Sequence, residues 1–415
     1  MDLYLNADQA AHALGVRKAT LYSYVSRGLI QSFEDTTRRS RKFRRSDVEQ
    51  LARRQAEKRK PRQAARAALD WGLPVMESAL TLIEDGQLYY RGVALSTLLP
   101  QASLEDVARL LWQVPAADIS MPTSPMSAQW RRTARDMADL SPFERMLPLF
   151  ALGQAELKRR DGPEHDFAAP QGLLQLMTAC MLGKSAPGLP LHEQCAMAWN
   201  LSAHGKTIVR TALLCCADHE LNASSFTARC IAATGVDMGS ALTGALAALR
   251  GPLHGGFTER IEALFDELAA SPSIEQALTA RLGSNGNLPG FGHPLYPQGD
   301  PRAIALLALL PANLRLARTL ETAAQLSGQA PSVDFALVAA RRCLGLPRGA
   351  AFGLFALART VGWIAHFLEQ RRTAGLIRPR ASYVGPRPLT DTQPTGRIIR
   401  PGHARERRGA TSTHD

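Results

Sequence analysis

The chain has 415 residues, of which 45% are hydrophobic and 21% charged, a composition typical of a soluble globular protein with two or three domains. The net charge of +12 is concentrated at the two ends. Residues 1–68 carry +9 and residues 371–415 carry +7, so the region between them carries −4. Basic charge confined to the ends indicates a nucleic-acid contact or a solvated tail, and argues against a basic enzyme core.

The N-terminus shows neither the basic nor the apolar region of a signal peptide. The most apolar late stretch, Ala351–Leu368, is interrupted by Arg359 and His366, which predicts a buried helix and not a membrane span. Six cysteines form no CxxC pair, so we expect reduced core thiols, a cytoplasmic location and no metal site. They are Cys180, Cys195, Cys215, Cys216, Cys230 and Cys343.

The first 56 residues read as a compact helical domain. Asn6 can cap a helix over Ala7–Leu14, with Gln9 in the reciprocal capping-box position and a glycine directly after the helix. A second helix begins at residue 17 or 18 and ends at Gly28, which gives a helix-turn-helix pattern.

Residues rich in arginine and lysine follow this pair of helices. Ser32–Arg45 predicts a short β-wing, Asp47–Ala56 a third helix, and residues 57–68 a charged linker.

The rest of the chain predicts a mainly α-helical domain. Two short strands are expected on either side of the turn Asp85-Gly86. Residues 386–415, rich in Pro, Arg, Thr and Gly, predict a disordered basic tail. The predicted helices include Leu104–Trp112, Pro142–Lys158, Gln171–Leu182, Glu193–Asp218 and Ala223–Leu249.

Three histidines lie at breaks between predicted helices, in Asp-His219-Glu, in Gly-Pro-Leu-His254-Gly-Gly and in Gly-Phe-Gly-His293-Pro. Glycine-rich loops let the backbone approach a ligand, and imidazole can act as an acid, a base or a hydrogen-bond donor. One such histidine alone is compatible with a helix cap or a polar pocket. Three in order, followed by Asp334 and several arginines, favour an active site. The sequence contains no P-loop and no GxSxG motif.

Taken together, these motifs resemble the citrate synthase family. The segments CADHELNASSFTAR, GPLHGG, GFGHPLYPQGDPRA, PSVDFAL and ARTVGWIAHFLEQ occur in that family's order, and LPVMESALTLIEDGQLYYRG resembles its N-terminal segment. The resemblance implies a citrate synthase-like domain over residues 69–385, all-helical, with a small domain at about 223–335 inserted in a large one.

The resemblance implies condensation of acetyl-CoA with oxaloacetate, followed by hydrolysis to citrate and CoA, without a permanently bound cofactor. Asp334 would be the base, His254 the donor to the thioester oxygen, and His293 the group that polarises the ketone. Arg378 would reach the neighbouring subunit's site, which implies a homodimer. The substrate-binding residues would be His219, Arg302, Arg359 and Arg378. Asp334 could instead be a helix cap, and Arg378 a surface charge.

CoA would lie near the loop 289–297, at Gly290, Phe291, Gly292 and Pro294. This chain departs from many bacterial relatives in the residues next to these motifs, so propionyl-CoA, giving 2-methylcitrate, remains an alternative substrate. The departures are Phe257 and Thr258 after GPLHGG, Pro294 after the third histidine, and Ala336-Leu337 after Asp-Phe.

The N-terminal domain resembles the MerR/excisionase-type winged helix-turn-helix, whose second helix enters the major groove. The candidate DNA-binding residues are Arg17, Lys18, Thr20, Tyr22, Ser23 and Arg27 on that helix and Arg38, Arg39, Arg41, Lys42, Arg44 and Arg45 in the wing. The domain could instead mediate protein contacts. The whole chain is therefore an active enzyme, or a DNA-binding regulator that senses oxaloacetate or acyl-CoA.

Overall fold

A computed structural model describes residues 4–27, 29–35, 40–45, 47–48, 51, 76–113, 126–161, 170–184, 188–373, 375–381 and 383–386. The chain divides into two units, residues 1–376 and residues 377–415. In the second unit the described residues form neither helix nor strand, and the Tyr383 hydroxyl donates to the Pro386 carbonyl over 2.8 Å. The predicted linker and all of the predicted tail except Pro386 lie outside the described residues.

The N-terminal helices form as the sequence predicts. Helix α1 (Ala7–Leu14) begins at a reciprocal capping box between Asn6 and Gln9, and ends at Gly15 with a left-handed φ of 63°. Helix α2 (Lys18–Ser26) follows after a short turn. The helices bury a small core that includes Leu5, Ala10, Ala11, Leu14, Leu21, Ile30, Phe43, Val48 and Leu51.

The predicted wing is an antiparallel pair, β2 (Ser32–Asp35) with β3 (Ser40–Arg44), and β1 (Tyr4–Asn6) pairs with the other edge of β3. Of the predicted third helix only residues 47, 48 and 51 are described, and they are helical. The wing candidates Arg38 and Arg39 lie outside the described residues.

The larger part begins with a three-stranded antiparallel sheet of β4 (Thr81–Glu84), β5 (Gln87–Tyr90) and β6 (Val93–Ala94), in which Thr81 pairs with Tyr90. The first two strands flank the predicted turn, and β6 was not predicted from the sequence. Fifteen further helices follow among the described residues: α3 (Leu95–Leu98), α4 (Leu104–Trp112), α5 (Ala128–Asp136), α6 (Pro142–Asp161), α7 (Pro170–Leu182), α8 (Leu191–Ala198), α9 (Ala203–Cys216), α10 (Ala223–Ala232), α11 (Met238–Leu249), α12 (Phe257–Ala270), α13 (Ile274–Asn285), α14 (Pro301–Leu307), α15 (Leu314–Ser327), α16 (Val333–Cys343) and α17 (Ala350–Arg372).

Two predicted long helices are each broken in two. The prediction of one helix over Glu193–Asp218 was wrong because Asn200 adopts a left-handed φ of 52° and Ser202 caps a new helix. The prediction of one helix over Ala223–Leu249 was wrong because Gly235 has a φ of 91° and Asp237 caps α11. Each break changes the direction of the chain, so the two halves pack as separate helices.

Helix α17 lies at the centre of the main hydrophobic core and packs against helices that include α4, α7, α9 and α10. It is long and apolar enough to cross a membrane, but 94% of its apolar window is buried inside the protein. The buried helix that the sequence predicts at Ala351–Leu368 is therefore confirmed. Arg359 and His366 lie in this core at 1% and 0% exposure, so both need polar partners.

Candidate active site

The polar groups of the candidate site come from four breaks in the helical framework and from α17. They lie on the segment after α9, the loop between α11 and α12, the loop between α13 and α14, and the first turn of α16. Helix termini and loops expose backbone and side-chain polar groups, so these breaks are where a helical protein can build a site.

His219 and His293 meet edge to face, with ring centroids 5.2 Å apart. Tyr296 lies beside both rings, and its hydroxyl is 3.0 Å from Nε2 of His219. Burial, together with the charges of nearby arginines, lowers the pKa of His219 well below its usual value and that of His293 to about 4. Both imidazoles are therefore neutral near pH 7.

Arg302 is held by Asp300 in a buried bidentate pair, with Nε and Nη2 at 2.9 and 2.8 Å from the two carboxylate oxygens. Asp300 also accepts from the Val333 amide over 3.0 Å, which ties the start of α16 to this pair. Burial alone would raise the pKa of Asp300, but the charge and hydrogen bonds of Arg302 outweigh it and lower that pKa. The guanidinium lies 5.2 Å from the centre of the Tyr296 ring, and its Nη1 has no partner among the described residues.

His254 lies in the loop between α11 and α12, against the ring of Phe355. Its Nε2 is 2.9 Å from Oγ of Ser224 and 3.2 Å from Oδ1 of Asn222. The Trp363 indole N–H donates to the same Ser224 oxygen over 3.0 Å. Burial, and then the charge of Arg359, lowers the pKa of His254 to about 3, so this imidazole is also neutral.

Asp334 occupies the first turn of α16, one residue after the amide that binds Asp300. Burial raises the pKa of its carboxyl to about 6, against the opposing charge of Arg302. Within the part of the chain that the structure describes, the side chain forms no ion pair and no hydrogen bond to another side chain. An ionised carboxylate without such partners is a stronger base than an exposed aspartate.

Arg359 projects from α17 with its Nε donating to the Cys216 carbonyl over 2.9 Å and its guanidinium 4.8 Å from the centre of the Phe355 ring. No carboxylate of the described residues lies within ion-pair distance of it. A buried guanidinium without an ion pair is costly, and an anionic ligand would lower that cost.

These groups share one electrostatic environment. Arg302 and Arg359 both act on His219 and Asp334, while His219 is also affected by His254 and His293. The site thus combines three neutral imidazoles, one basic carboxylate and two buried guanidinium groups. Such a set can bind a dianion and move a proton at a carbon next to a carbonyl.

The comparisons with known proteins agree with this arrangement. Residues 168–380, just over half of the chain, match the family described as the citrate synthase C-terminal domain. The chain belongs to the citrate synthase family. Residues 4–56 match a helix-turn-helix domain family, which confirms the predicted N-terminal domain.

Citrate synthase 2 of Bacillus subtilis is 38% identical over 188 residues, covering 42% of this chain and 50% of the relative. The 2-methylcitrate synthase of Shewanella oneidensis is 35% identical over 202 residues, covering 45% and 54%. These matches therefore span about half the length of the curated relatives. The crystal structure of citrate synthase from Thermotoga maritima has a TM-score of 0.64 and 25% identity, covering 77% of this chain and 96% of that one. The predicted mainly α, citrate synthase-like fold is confirmed.

Six of the predicted site residues lie in the citrate synthase-like fold's polar site: His219, His254, His293, Arg302, Asp334 and Arg359. Arg378 belongs to the second unit, where its side chain is exposed. The predicted CoA loop is tied to the start of α16, because Gly290 accepts from the Ser332 amide and Gly292 donates to the Ala330 carbonyl, each over 2.8 Å. The Phe291 ring lies 4.9 Å from the Phe335 ring, and Pro294 is exposed.

The departures from the family pattern lie in different surroundings. Ala336 and Leu337 are fully buried, so they present no surface to a ligand and can act on the pocket only through packing. Thr258 is buried and donates to the Gly255 carbonyl over 2.9 Å, which closes the histidine loop. Phe257 is half-buried against the Arg260 guanidinium.

The residues that orient the candidate site residues were not predicted from the sequence. Ser224, Trp363, Tyr296 and Asp300 received no role, although each lies inside a motif quoted for the family. The spacing within GHPLYPQGDPR offered a signal, since a tyrosine three residues after His293 can return to it in a turn. The contact between Ser224 and Trp363 joins residues 139 positions apart, and no local pattern reveals it.

The helix-turn-helix candidates lie mostly on the surface. Arg17, Lys18, Tyr22, Ser23 and Arg27 are exposed on or beside α2, whereas Thr20 is half-buried. In the wing, Arg41 and Lys42 are exposed, and Arg44 and Arg45 are half-buried. Lys18 pairs with Asp8 at 2.7 Å, and Arg44 lies 3.6 Å from Glu84 of the sheet that precedes the helices.

Proposed function

We propose that this chain condenses acetyl-CoA with oxaloacetate and hydrolyses the resulting citryl-CoA to citrate and CoA. The observation that carries the proposal is the buried Arg359, which has no ion pair with any residue that the structure describes. Its charge acts on the neutral His254 and on Asp334. A buried cation next to a basic carboxylate suits a reaction in which a dianion meets a weakly acidic methyl group.

Asp334 takes a proton from the methyl group of acetyl-CoA. Its raised pKa of about 6 makes it a stronger base than a free aspartate, and it remains ionised at neutral pH. The electron pair released from the C–H bond moves toward the thioester oxygen, giving an enol or enolate. Asp334 is thus the base, and a second group is needed to stabilise that oxygen.

His254 is the donor to the thioester oxygen. With a pKa of about 3 it carries a single proton. The Ser224 hydroxyl has two acceptors within reach, Oδ1 of Asn222 at 2.8 Å and Nε2 of His254 at 2.9 Å, and in the proposed reaction it donates to Nε2. That arrangement places the proton on Nδ1, which is left to donate to the substrate. A neutral imidazole near the developing charge stabilises it without losing a proton in the resting enzyme.

Oxaloacetate is bound by the two buried arginines, with Nη1 of Arg302 and the guanidinium of Arg359 directed to its carboxylates. His293 donates to the ketone oxygen, and His219 lines the same pocket. The enol carbon forms a bond to the ketone carbon, and the new alkoxide takes up one proton. Water then cleaves the thioester and releases CoA. Arg378 from a second copy completes the site in a homodimer.

The deciding experiment measures CoA release by the purified chain with oxaloacetate and either acetyl-CoA or propionyl-CoA. We expect turnover with a higher kcat/KM for acetyl-CoA, and none above background in Asp334→Ala. A higher kcat/KM for propionyl-CoA would make the chain a 2-methylcitrate synthase. A folded wild type without turnover on either acyl-CoA would refute the enzymatic function.

A second function, DNA binding, is favoured by one specific observation. The exposed basic side chains of the N-terminal domain lie on and beside α2 and on the wing strand β3. Phosphate contacts need this kind of exposed, clustered positive charge. A dimer would present two such domains, so the chain could also be a regulator that responds to oxaloacetate or acyl-CoA.

A further inference from the structure

Next to the candidate site lies a row of polar side chains that the proposed reaction does not use, three of them buried and two half-buried. Asp218, fully buried, accepts from the Thr81 hydroxyl and lies 3.2 Å from Nε2 of His366. His366, also fully buried, accepts at Nδ1 from Nε of Arg229 over 2.9 Å. Arg229 pairs with Glu369, which also accepts from the Ala79 amide. We call these residues the buried relay: Thr81, Asp218, His366, Arg229 and Glu369.

The hydrogen-bond direction in the buried relay is fixed by its chemistry. Arginine Nε can only donate, so Nδ1 of His366 must be the acceptor and Nε2 carries the proton that faces Asp218. Burial alone would raise the pKa of Asp218, but the neighbouring His366 and the charge of Arg359 outweigh it and lower that pKa. Asp218 is therefore a carboxylate that accepts from Thr81 at Oδ2 and faces the His366 imidazole at Oδ1.

The segment 216–218, which ends at Asp218 of the buried relay, contacts α17 through each of its three residues. The Cys216 carbonyl accepts from Arg359, the Ala217 carbonyl accepts from the Gly362 amide over 3.0 Å, and Asp218 meets His366. The contacts at positions 359, 362 and 366 follow one face of the helix. A side chain at Gly362 would overlap the backbone carbonyl of Ala217 and the Asp218 carboxylate, so only glycine permits this approach.

The next residue along the chain is His219, which lies in the pocket beside Tyr296 and His293. Arg359 lies in the same pocket and starts the row of contacts. A shift of the segment along α17 would therefore move one pocket side chain and break the hydrogen bond that orients the other. A small displacement of a substrate-binding group costs a large part of the rate, because the reacting atoms must be held within a narrow range of positions.

We infer that Asp218 and His366 are positioning residues, which act through the segment 216–218 to hold His219 and Arg359 in the geometry that binds the keto-acid dianion. The identity of that dianion as oxaloacetate rests on the proposed function. Binding of the dianion can be measured whether or not the chain catalyses the reaction.

The test compares four variants of the full-length chain by calorimetric titration with oxaloacetate and by CoA release. In His366→Leu the polar group that faces Oδ1 of Asp218 is lost, and we expect the Kd for oxaloacetate to rise roughly 10- to 100-fold and kcat to fall. His366→Gln can still present an N–H near the position of Nε2, so it should recover most of the affinity. Thr81→Val removes the hydrogen bond to the other oxygen of Asp218 and should shift Kd in the same direction by less.

Gln175→Leu is the matched control, because Gln175 is buried and pairs with Gln194 over 3.0 Å in a different part of the core. It should lower the melting temperature without changing Kd. Equal Kd values for wild type and a folded His366→Leu would overturn the inference. If His366→Leu does not fold, an unchanged Kd in Thr81→Val would do the same. A wild type that binds oxaloacetate without releasing CoA would refute the enzymatic function alone, whereas a wild type that binds none would refute both.

Discussion

The hydroxyl oxygen of Ser224 lies 2.9 Å from Nε2 of His254, and the direction of this hydrogen bond decides which nitrogen of that imidazole carries the proton. The serine oxygen accepts from Trp363, and its own proton has two acceptors within reach, Oδ1 of Asn222 at 2.8 Å and Nε2 of His254. The proposed reaction requires that it donate to His254. A neutral imidazole that accepts at Nε2 must donate at Nδ1. When Ser224 donates to Nε2, His254 is therefore a donor at Nδ1, as the proposed reaction requires.

Ser224→Ala should lower kcat because His254 loses the partner that fixes its tautomer. Removal of an oxyanion donor costs about 100- to 1,000-fold, and loss of its orienting partner should cost less, about 10- to 100-fold. Steady-state CoA release measures kcat of the variant and of the wild type. Ser225→Ala is the control, since Ser225 is equally buried in α10 but does not contact His254. Equal kcat values in the two variants would argue against this tautomer.

Activity should depend on the ionisation of Asp334. With a pKa of about 6, the carboxylate is the base only above that pH, so kcat/KM should fall about tenfold per pH unit below it. Asp334→Asn should remove turnover at every pH. A pH profile of wild-type CoA release between pH 5 and 8 tests the first point, and a profile without this acidic limb would contradict it.

Ionisation of Asp334, which activity requires, should lower the stability of the folded protein. Because the folded-state pKa of Asp334 is raised, ionisation disfavours the folded state, and this loss develops as the pH rises from about 4 to about 6. Asp334→Asn cannot ionise, so its melting temperature should exceed that of wild type at pH 8, with a difference that shrinks toward pH 4. Thermal unfolding at both pH values measures this.

A residue that only stabilises the start of α16 would behave differently. A carboxylate near a helix N-terminus stabilises the helix, so its replacement would lower the melting temperature at pH 8. A lower melting temperature in Asp334→Asn would therefore assign the residue to helix capping. Asp237→Asn, at the cap of α11, supplies the comparison, because its side chain accepts from the Ser240 amide over 2.9 Å.

Local chemistry made the short elements predictable from the sequence. Helix α1 has both its capping box and its terminal glycine in the sequence, and α4 occupies the predicted residues. The two broken helices show the limit of pattern reading. Apolar periodicity continues through Asn200 and Gly235, whereas the left-handed backbone at these positions ends one helix, and the caps Ser202 and Asp237 begin the next.

In the candidate site, too, some residues were predictable from the local sequence and others were not. Histidines next to glycine, and an aspartate before an apolar run, stand out in a sequence, so the groups proposed to touch substrate were found. The residues that orient them, such as Trp363 for Ser224 and Asp218 for α17, act over more than a hundred positions of chain. Such contacts depend on tertiary packing, which a local pattern does not contain.

Asp300→Asn should weaken oxaloacetate binding. The charged bidentate pair between Asp300 and Arg302 would be replaced by a weaker, neutral hydrogen bond, and the hydrogen bond from the Val333 amide would also weaken. We expect KM for oxaloacetate to rise about tenfold, with KM for acyl-CoA much less affected. Initial rates at varied oxaloacetate test this, and equal increases in both KM values would contradict it.

The control for Asp300→Asn is Glu262→Gln. Glu262 is also buried and pairs with Arg341 and Arg342, at 3.3 and 2.9 Å, but neither arginine belongs to the candidate site. Breaking a buried pair lowers stability in either variant, by about 3–5 kcal/mol. Only Asp300→Asn should change KM for oxaloacetate, so the comparison separates positioning from general destabilisation.

The full-length chain should bind duplex DNA with an affinity that falls as salt rises. Each phosphate contact adds about one unit to the slope of log K against log salt, so Arg41→Ala should reduce the slope by about one. Arg131→Ala provides the control, because Arg131 is an equally exposed arginine on α5. Fluorescence anisotropy over a salt series measures both slopes. Equal reductions of the slope in both variants would show that net charge alone is responsible. No DNA binding at low salt would contradict the DNA-binding function and favour a role of the N-terminal domain in protein contacts.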